Sequence, residues 1–190
     1  MKRCFTVIFA LLVTAGSLTA QAKHPNTRAG FWWGLGAGWG SASASCEDCD
    51  DEQVSGYAGN FRLGGTISPS FLLGVETNGW FHSEGDNDQI LSFGSIVAVV
   101  YPDADGGFYF KAGLGVMNFF SETSLGELTA TAGAGMLGAG YEFRVGRNMS
   151  IVPFLNALTS AEAEYEFEGV SVDTEVSLRL FQLGVGITWH

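Results

Sequence analysis

A chain of 190 residues with 20 acidic and 9 basic side chains, formal net charge −11, has no cationic surface with which to hold nucleic acid. It is equally unsuited to a polybasic grip on anionic lipid. Its 27 glycines and 13% aromatic residues are a mixture that few soluble domains show, and no segment offers the roughly 18 uninterrupted apolar residues of a membrane helix.

Lys2 and Arg3 precede an apolar run from Cys4 to Val13, and Thr19-Ala20-Gln21-Ala22 follows it. A charged start, a short apolar core and an Ala-x-Ala site predict a secretory signal peptide over residues 1–22. Cys4 lies ahead of the apolar core, which argues against a lipoprotein. The predicted mature domain, residues 23–190, keeps 7 basic against 20 acidic residues, a net charge of −13.

From Phe31 the sequence has a period of two. Phe31, Trp33, Leu35, Ala37 and Trp39 alternate with glycine at Gly34, Gly36, Gly38 and Gly40. A strand sends successive side chains to opposite faces, so one face is bulky and apolar and the other nearly bare. The pattern returns at Phe71–Val75, at Phe108–Val116 and at Phe181–Trp189. A soluble sandwich would set Lys, Glu and Thr against its apolar face; glycine with isolated charges suits a crowded lumen with lipid outside. Backbone groups in hydrocarbon must all be paired, which forces the sheet to close.

Eight strands are predicted, at about 30–43, 56–66, 71–82, 89–101, 107–119, 129–144, 149–158 and 174–190. The fourth is apolar on both faces over Val97–Tyr101, and Pro153 predicts a bulge or a shifted boundary in the seventh. Tight turns are predicted over 67–70, 102–106 and 145–148, and longer, mostly acidic loops near 44–55, 83–88, 120–128 and 159–173. The predicted fold is all-β: a closed antiparallel eight-stranded up-and-down transmembrane β-barrel. Short turns alternating with long loops and an even strand count put both termini in the periplasm.

The last residues, Gln182-x-Gly184-x-x-Ile187-x-Trp189, resemble the terminal insertion signal of outer-membrane barrels, except that His190 follows the final aromatic. Together with Phe108–Gly115 and Gly138–Phe143, they make the chain similar to the OmpA/OmpX-type small barrel superfamily over essentially its whole predicted mature length. The resemblance implies insertion by the barrel-assembly machinery, outer-membrane lipid and lipopolysaccharide as surroundings, and a monomer. It implies no cofactor.

Parity predicts Arg62, Glu76, Lys111, Glu142 and Arg144 in the lumen, with Glu76 and Glu142 meeting Arg62 and Lys111; the network is either a plug or a gated ion path. Cys46-Glu47-Asp48-Cys49 has a redox or zinc spacing. Without a second cysteine pair or a strand–helix setting, a loop disulfide between Cys46 and Cys49 is expected. His82-Ser83-Glu84 has the residue types of a lipid A deacylase triad, but alternation puts Ser83 on the opposite face. Gly133-x-Gly135-x-x-Gly138 has dinucleotide-binding letters without the strand–turn–helix they need. Residues 161–176 alternate apolar and acidic, predicting either a projecting hairpin with one free edge for strand addition or a solvated acidic loop. The expected function is non-catalytic, structural or surface-interacting. A narrow pore through lumen space left by glycine and a lipid A-modifying enzyme are the alternatives.

Overall fold

The computed structural model describes residues 28–46, 52–85, 87–123, 126–161, 163–167 and 170–190; the predicted signal peptide and the Cys46–Cys49 bridge lie outside what it describes. Among the described residues every element is a strand: β1 (Phe31–Cys46), β2 (Glu52–Ser68), β3 (Phe71–Glu84), β4 (Asn87–Val100), β5 (Phe108–Thr123), β6 (Gly126–Tyr141), β7 (Phe143–Arg144), β8 (Met149–Ser160), β9 (Ala163–Phe167) and β10 (Val170–Trp189). All neighbours are antiparallel, and β10 pairs with β1 to close the sheet. β7 continues the line of β6 along β8, and β9 continues the line of β8 between β6 and β10. Ten segments therefore make eight staves.

Hydrogen-bonded partners fix the geometry. From Trp33 they lead round the wall through Leu63, Val75, Ile96, Leu114, Gly135, Thr159 and Arg179, and return to β1 at Ser43. The row has climbed ten residues, from 33 to 43. A shear of ten over eight staves, at about 3.3 Å per residue and 4.8 Å between strands, gives a tilt of about 40° and a radius of about 8 Å. A cylinder that narrow has room inside for side chains only.

Parity sorts the faces. Trp32, Leu72, Trp80, Phe93, Val97, Val99, Met117 and Leu180 point inward and are buried, whereas Leu114 (77% exposed), Leu137 (69%) and Ile96 (66%) point outward. The fourth strand obeys the same rule, its inward Val97 and Val99 facing the lumen and its outward Val100 facing away. Phe31, Phe71, Phe108, Phe143 and Trp189 ring the outer wall at the end carrying both termini, the terminal end. Trp39, Tyr57, Phe81 and Phe181 ring it nearer the distal end, and Trp39 and Tyr57 meet edge to face at 4.7 Å. Phe71 and Phe81 lie on one strand; ten residues at that tilt rise about 25 Å, the height of an outer-membrane apolar band. Beyond the distal ring the outward residues turn polar at Ser41, Ser55, Ser83, Thr159 and Arg179. The band is a lipid-facing surface.

Two expectations need correcting. The long loops are mostly strand, since β1 and β2 pair to Ala44↔Glu52, β3 and β4 to Glu84↔Asn87, and β5 and β6 to Thr123↔Gly126. Apolar alternation ends where lipid ends, but backbone pairing continues into water. Pro153 makes no bulge: its register with β10 runs unbroken through Pro153↔Val185. Its missing N–H is felt on the other side, where the ladder stops at Gly140↔Phe154 and resumes at Phe143↔Ile151. Over 163–176, β9 is paired with β6 on one side and β10 on the other, whereas Val170–Val172 of β10 pair only with β9 among the described residues.

Leu114→Arg puts a cation near mid-band and is expected to cost about 2–4 kcal/mol, whereas Ser43→Arg, beyond the distal ring, is expected to cost about 0–1 kcal/mol. Urea unfolding in phospholipid vesicles measures both.

Candidate functional site

The lumen is the candidate site, and it has two storeys. The distal storey is apolar. Trp80, Phe93, Leu91, Met117, Leu158, Leu178 and Leu180 are all buried in one cluster. The Trp80 indole N–H donates to the Gly40 carbonyl at 3.2 Å, so even its polar atom is satisfied. Inward glycines make this packing possible. A Cβ on Gly40 would meet the Trp80 ring at 2.8 Å, one on Gly36 the Phe154 ring at 2.6 Å, and one on Gly138 the Lys111 chain at 2.7 Å. The expected spare lumen is therefore absent around these glycines. Each is a recess occupied by a large side chain from another stave.

The storey toward the terminal end carries the buried charges, set among Trp32, Leu72, Val99 and Val152 of the same apolar cluster. Lys111 Nζ donates to Glu76 Oε1 with both side chains buried. Arg62, also buried, donates to the Tyr109 hydroxyl at 3.1 Å and to Thr188 Oγ1 at 2.7 Å. Above them Asn156 donates to Asn78 Oδ1 at 3.2 Å and to Gln182 Oε1 at 3.1 Å, and Gln182 donates to the Gly79 carbonyl at 3.2 Å. Buried charges without partners would cost several kcal/mol each, on the order of the penalty for any desolvated ion; here each cation donates to at least one neighbour.

Glu142 is held differently from expectation. It meets neither Arg62 nor Lys111. Arg28, ahead of β1, reaches across the mouth to its Oε2 at 3.2 Å, and Arg28 also donates to the carbonyls of Ala104 at 3.0 Å and Gly106 at 2.6 Å. The Arg28 guanidinium lies 3.3 Å over the Tyr101 ring, whose hydroxyl donates to Glu142 Oε1 at 2.7 Å. His190 Nε2 completes the set, 3.1 Å from the same oxygen. Both ends of the barrel chain thus converge on one carboxylate. Arg144 has the inward parity of Glu142 and is half-buried on β7, opposite the fully buried Ser150, at the terminal rim. β5 begins at Phe108, opposite Tyr141, so the wall on that side has already ended at residue 144.

Parity in the sequence points to Glu76, Lys111, Arg62 and Glu142, but nothing in it points to Arg28 or His190. Both are terminal to the alternating pattern, and only closure brings them together. In the C-terminal motif, Gln182 belongs to the lumen ladder, and a Cβ on Gly184 would meet the Phe154 ring at 2.7 Å. Ile187 and Trp189 point outward and are exposed. At the distal end His82 lies on the inward face, its Nδ1 2.8 Å from the Ser55 carbonyl and its ring stacked on Trp80. Its Nε2 is 3.7 Å from Glu84, while Ser83 projects from the other face of the strand. The three do not form a relay.

A closed eight-stave antiparallel barrel with an apolar outer belt and a filled lumen is the fold of the small outer-membrane β-barrels. Among solved structures, the chain is similar to neisserial surface protein A (NspA), with TM-score 0.61 and 13% identity over 85% of this chain and 97% of that one. It is also similar to Ail, the attachment invasion locus protein of Yersinia pestis, with TM-score 0.55 and 12% identity over 85% and 99%. A second Ail structure, in complex with the heparin analogue sucrose octasulfate, gives TM-score 0.50 and 14% identity over 84% and 99%. No family profile and no curated relative matches the sequence.

Lys111→Met strands the Glu76 carboxylate and is expected to cost about 3–5 kcal/mol, whereas Lys111→Met with Glu76→Leu costs less than the sum of the two single changes. A double-mutant cycle on the refolded barrel reads the coupling. Gly40→Ala, which overfills the recess beneath Trp80, is expected to lose about 1–3 kcal/mol in the same assay.

Proposed function

We propose that the protein is a non-catalytic integral protein of the bacterial outer membrane, with a structural or surface-interacting role and acidic hairpins turned to the exterior. The observation that carries this reading is the packed lumen: a buried apolar storey seals one half and a paired polar storey fills the other. Among the described residues, a lumen so filled leaves neither a cleft for a substrate nor a water path for a solute. The outer belt supports the location, because exposed Leu114, Leu137, Ile96, Leu183 and Val185 belong in hydrocarbon rather than water. Both termini then lie in the periplasm, since the tight turns share their end of the barrel and short turns face that side.

The charge of the hairpins narrows the partner. Glu47, Asp48, Asp50, Asp51 and Glu52 crowd one connection, and Glu162, Glu164, Glu166 and Glu168 another. Ail has been crystallised with a sulfated sugar; these carboxylates would repel such a polyanion and favour a cationic or cation-bridged surface. Insertion by the barrel-assembly machinery and a monomeric state are part of the same proposal.

Three measurements test it. Cell fractionation is expected to recover the protein in the outer membrane, with a C-terminal tag protected from external protease until the cells are permeabilised. In planar bilayers the refolded barrel is expected to give no unitary current steps, while Trp80→Ala with Phe93→Ala, which empties the distal storey, opens measurable ones. Steps of uniform size from the unaltered protein would instead identify a pore.

A further inference from the structure

The packing of the lumen leaves one gap, and it lies among the charges. A cavity of about 10 Å³ is lined by Asn60 and Arg62 of β2 and by Tyr109 and Lys111 of β5, with Val152 and Phe154 of β8 beside them. That is about the room one water-sized particle needs. Arg62, Tyr109 and Lys111 are all buried.

The charges around this cavity do not balance. Among the described residues, the buried charged side chains are Arg28, Arg62 and Lys111 against Glu76 and Glu142. Arg28 is neutralised by Glu142 at the mouth, and His190 beside that carboxylate can only add positive charge. Lys111 takes Glu76. Arg62 stands directly across the ladder from Glu76, but its guanidinium donates to two neutral oxygens, on Tyr109 and Thr188. Glu76 has one negative charge for two cations, so whichever it serves, one positive charge remains. A net charge kept in a low-dielectric interior is costly unless a counter-charge joins it.

Spare donors point the same way. The two bonds of Arg62 use Nη1 and Nη2, leaving the Nε–H beside Gly34 without an acceptor among the described residues. Lys111 commits one of its three N–H groups to Glu76. The Tyr109 hydroxyl accepts from Arg62 and keeps its own proton to give. The Asn60 amide adds an NH2 group. A water molecule would bring two more hydrogens in need of acceptors and would leave the charge unchanged. A halide is only slightly larger, accepts from all four groups and supplies the missing negative charge.

We propose that the lumen contains a structural anion site, in which one chloride-sized halide is coordinated by Arg62, Lys111, Tyr109 and Asn60. The apolar storey lies on one side of it and the Arg28–Glu142 pair at the mouth on the other, so the ion is resident and not permeant. The site goes beyond the surface role proposed above and is independent of it, because it lies wholly inside the wall.

The refolded mature barrel, in phosphatidylcholine vesicles, can be unfolded with urea in sodium bromide and in sodium gluconate of equal ionic strength. Gluconate has the same charge but is too large for the cavity. Above half-saturation, each tenfold rise in bromide is expected to raise the folding constant about tenfold, a dependence that gluconate does not produce. Asn60→Asp sets a fixed carboxylate among the same donors; it is expected to abolish the bromide dependence and to be at least as stable in gluconate as the unaltered barrel. Arg62→Met, which removes the surplus charge, is expected to abolish the dependence as well, with heat-modifiable gel migration confirming that each variant is folded. Crystals of the unaltered barrel grown in bromide are expected to show an anomalous peak within hydrogen-bonding reach of Arg62 and Lys111. Equal stability in the two salts, or an anomalous map without that peak, overturns the site. Bromide dependence that survives in Asn60→Asp overturns its placement, and an Asn60→Asp barrel less stable in gluconate than the unaltered one overturns the surplus charge.

Discussion

Hydrocarbon offers the peptide bond no partner, and this is the constraint from which the rest of the architecture descends. Every N–H and C=O in the apolar belt must find its mate within the sheet, so the sheet closes through β1 and β10. Closure at eight staves with a shear of ten leaves a cylinder only about 8 Å in radius. Inside such a tube, room for one large side chain has to come from a small one facing it. Any inward side chain larger than alanine must be met by a smaller one opposite, which is why Trp80 lies against Gly40 and Gly56, and Phe154 against Gly36 and Gly184. The glycines that look like slack in the sequence are the complement of the aromatics.

The two storeys divide the work of stability and specificity. The distal one resembles the core of a soluble protein and is stabilised by apolar burial. The polar one gains less net energy, because desolvation offsets much of each ion pair. It does make the interior intolerant of slippage. A shift of one residue would turn Glu76 and Lys111 out into lipid and bring Val75 or Ala112 inward, so the pair discriminates strongly between registers.

The sequence makes the lipid-exposed architecture readable because hydrocarbon punishes any break in alternation. Leu35, Leu73, Leu114 and Val185 announce their faces, and parity then carries Glu76, Lys111, Arg62 and Glu142 inward. Beyond the aromatic rings that punishment stops. Residues such as Gln53, Asp88 and Glu122 continue the ladders in water with no apolar period to reveal them, so strands extend where loops are expected. Glu142 exposes a second limit. Parity gives the direction of its side chain, but its partners, Arg28 and His190, are 114 and 48 residues away in sequence and outside any period. Local pattern constrains direction; only the closed circuit determines who meets whom.

That circuit has a kinetic side. The Glu142 carboxylate is satisfied by one group from before the first strand and another from after the last, so it has its full set of partners only when the seam between β1 and β10 has been made. An open or partly inserted sheet holds a carboxylate short of its partners near the membrane edge, while the finished barrel does not. Arg28 before β1 and His190 after β10 thus meet on one carboxylate, which the closed barrel satisfies from both sides of the seam.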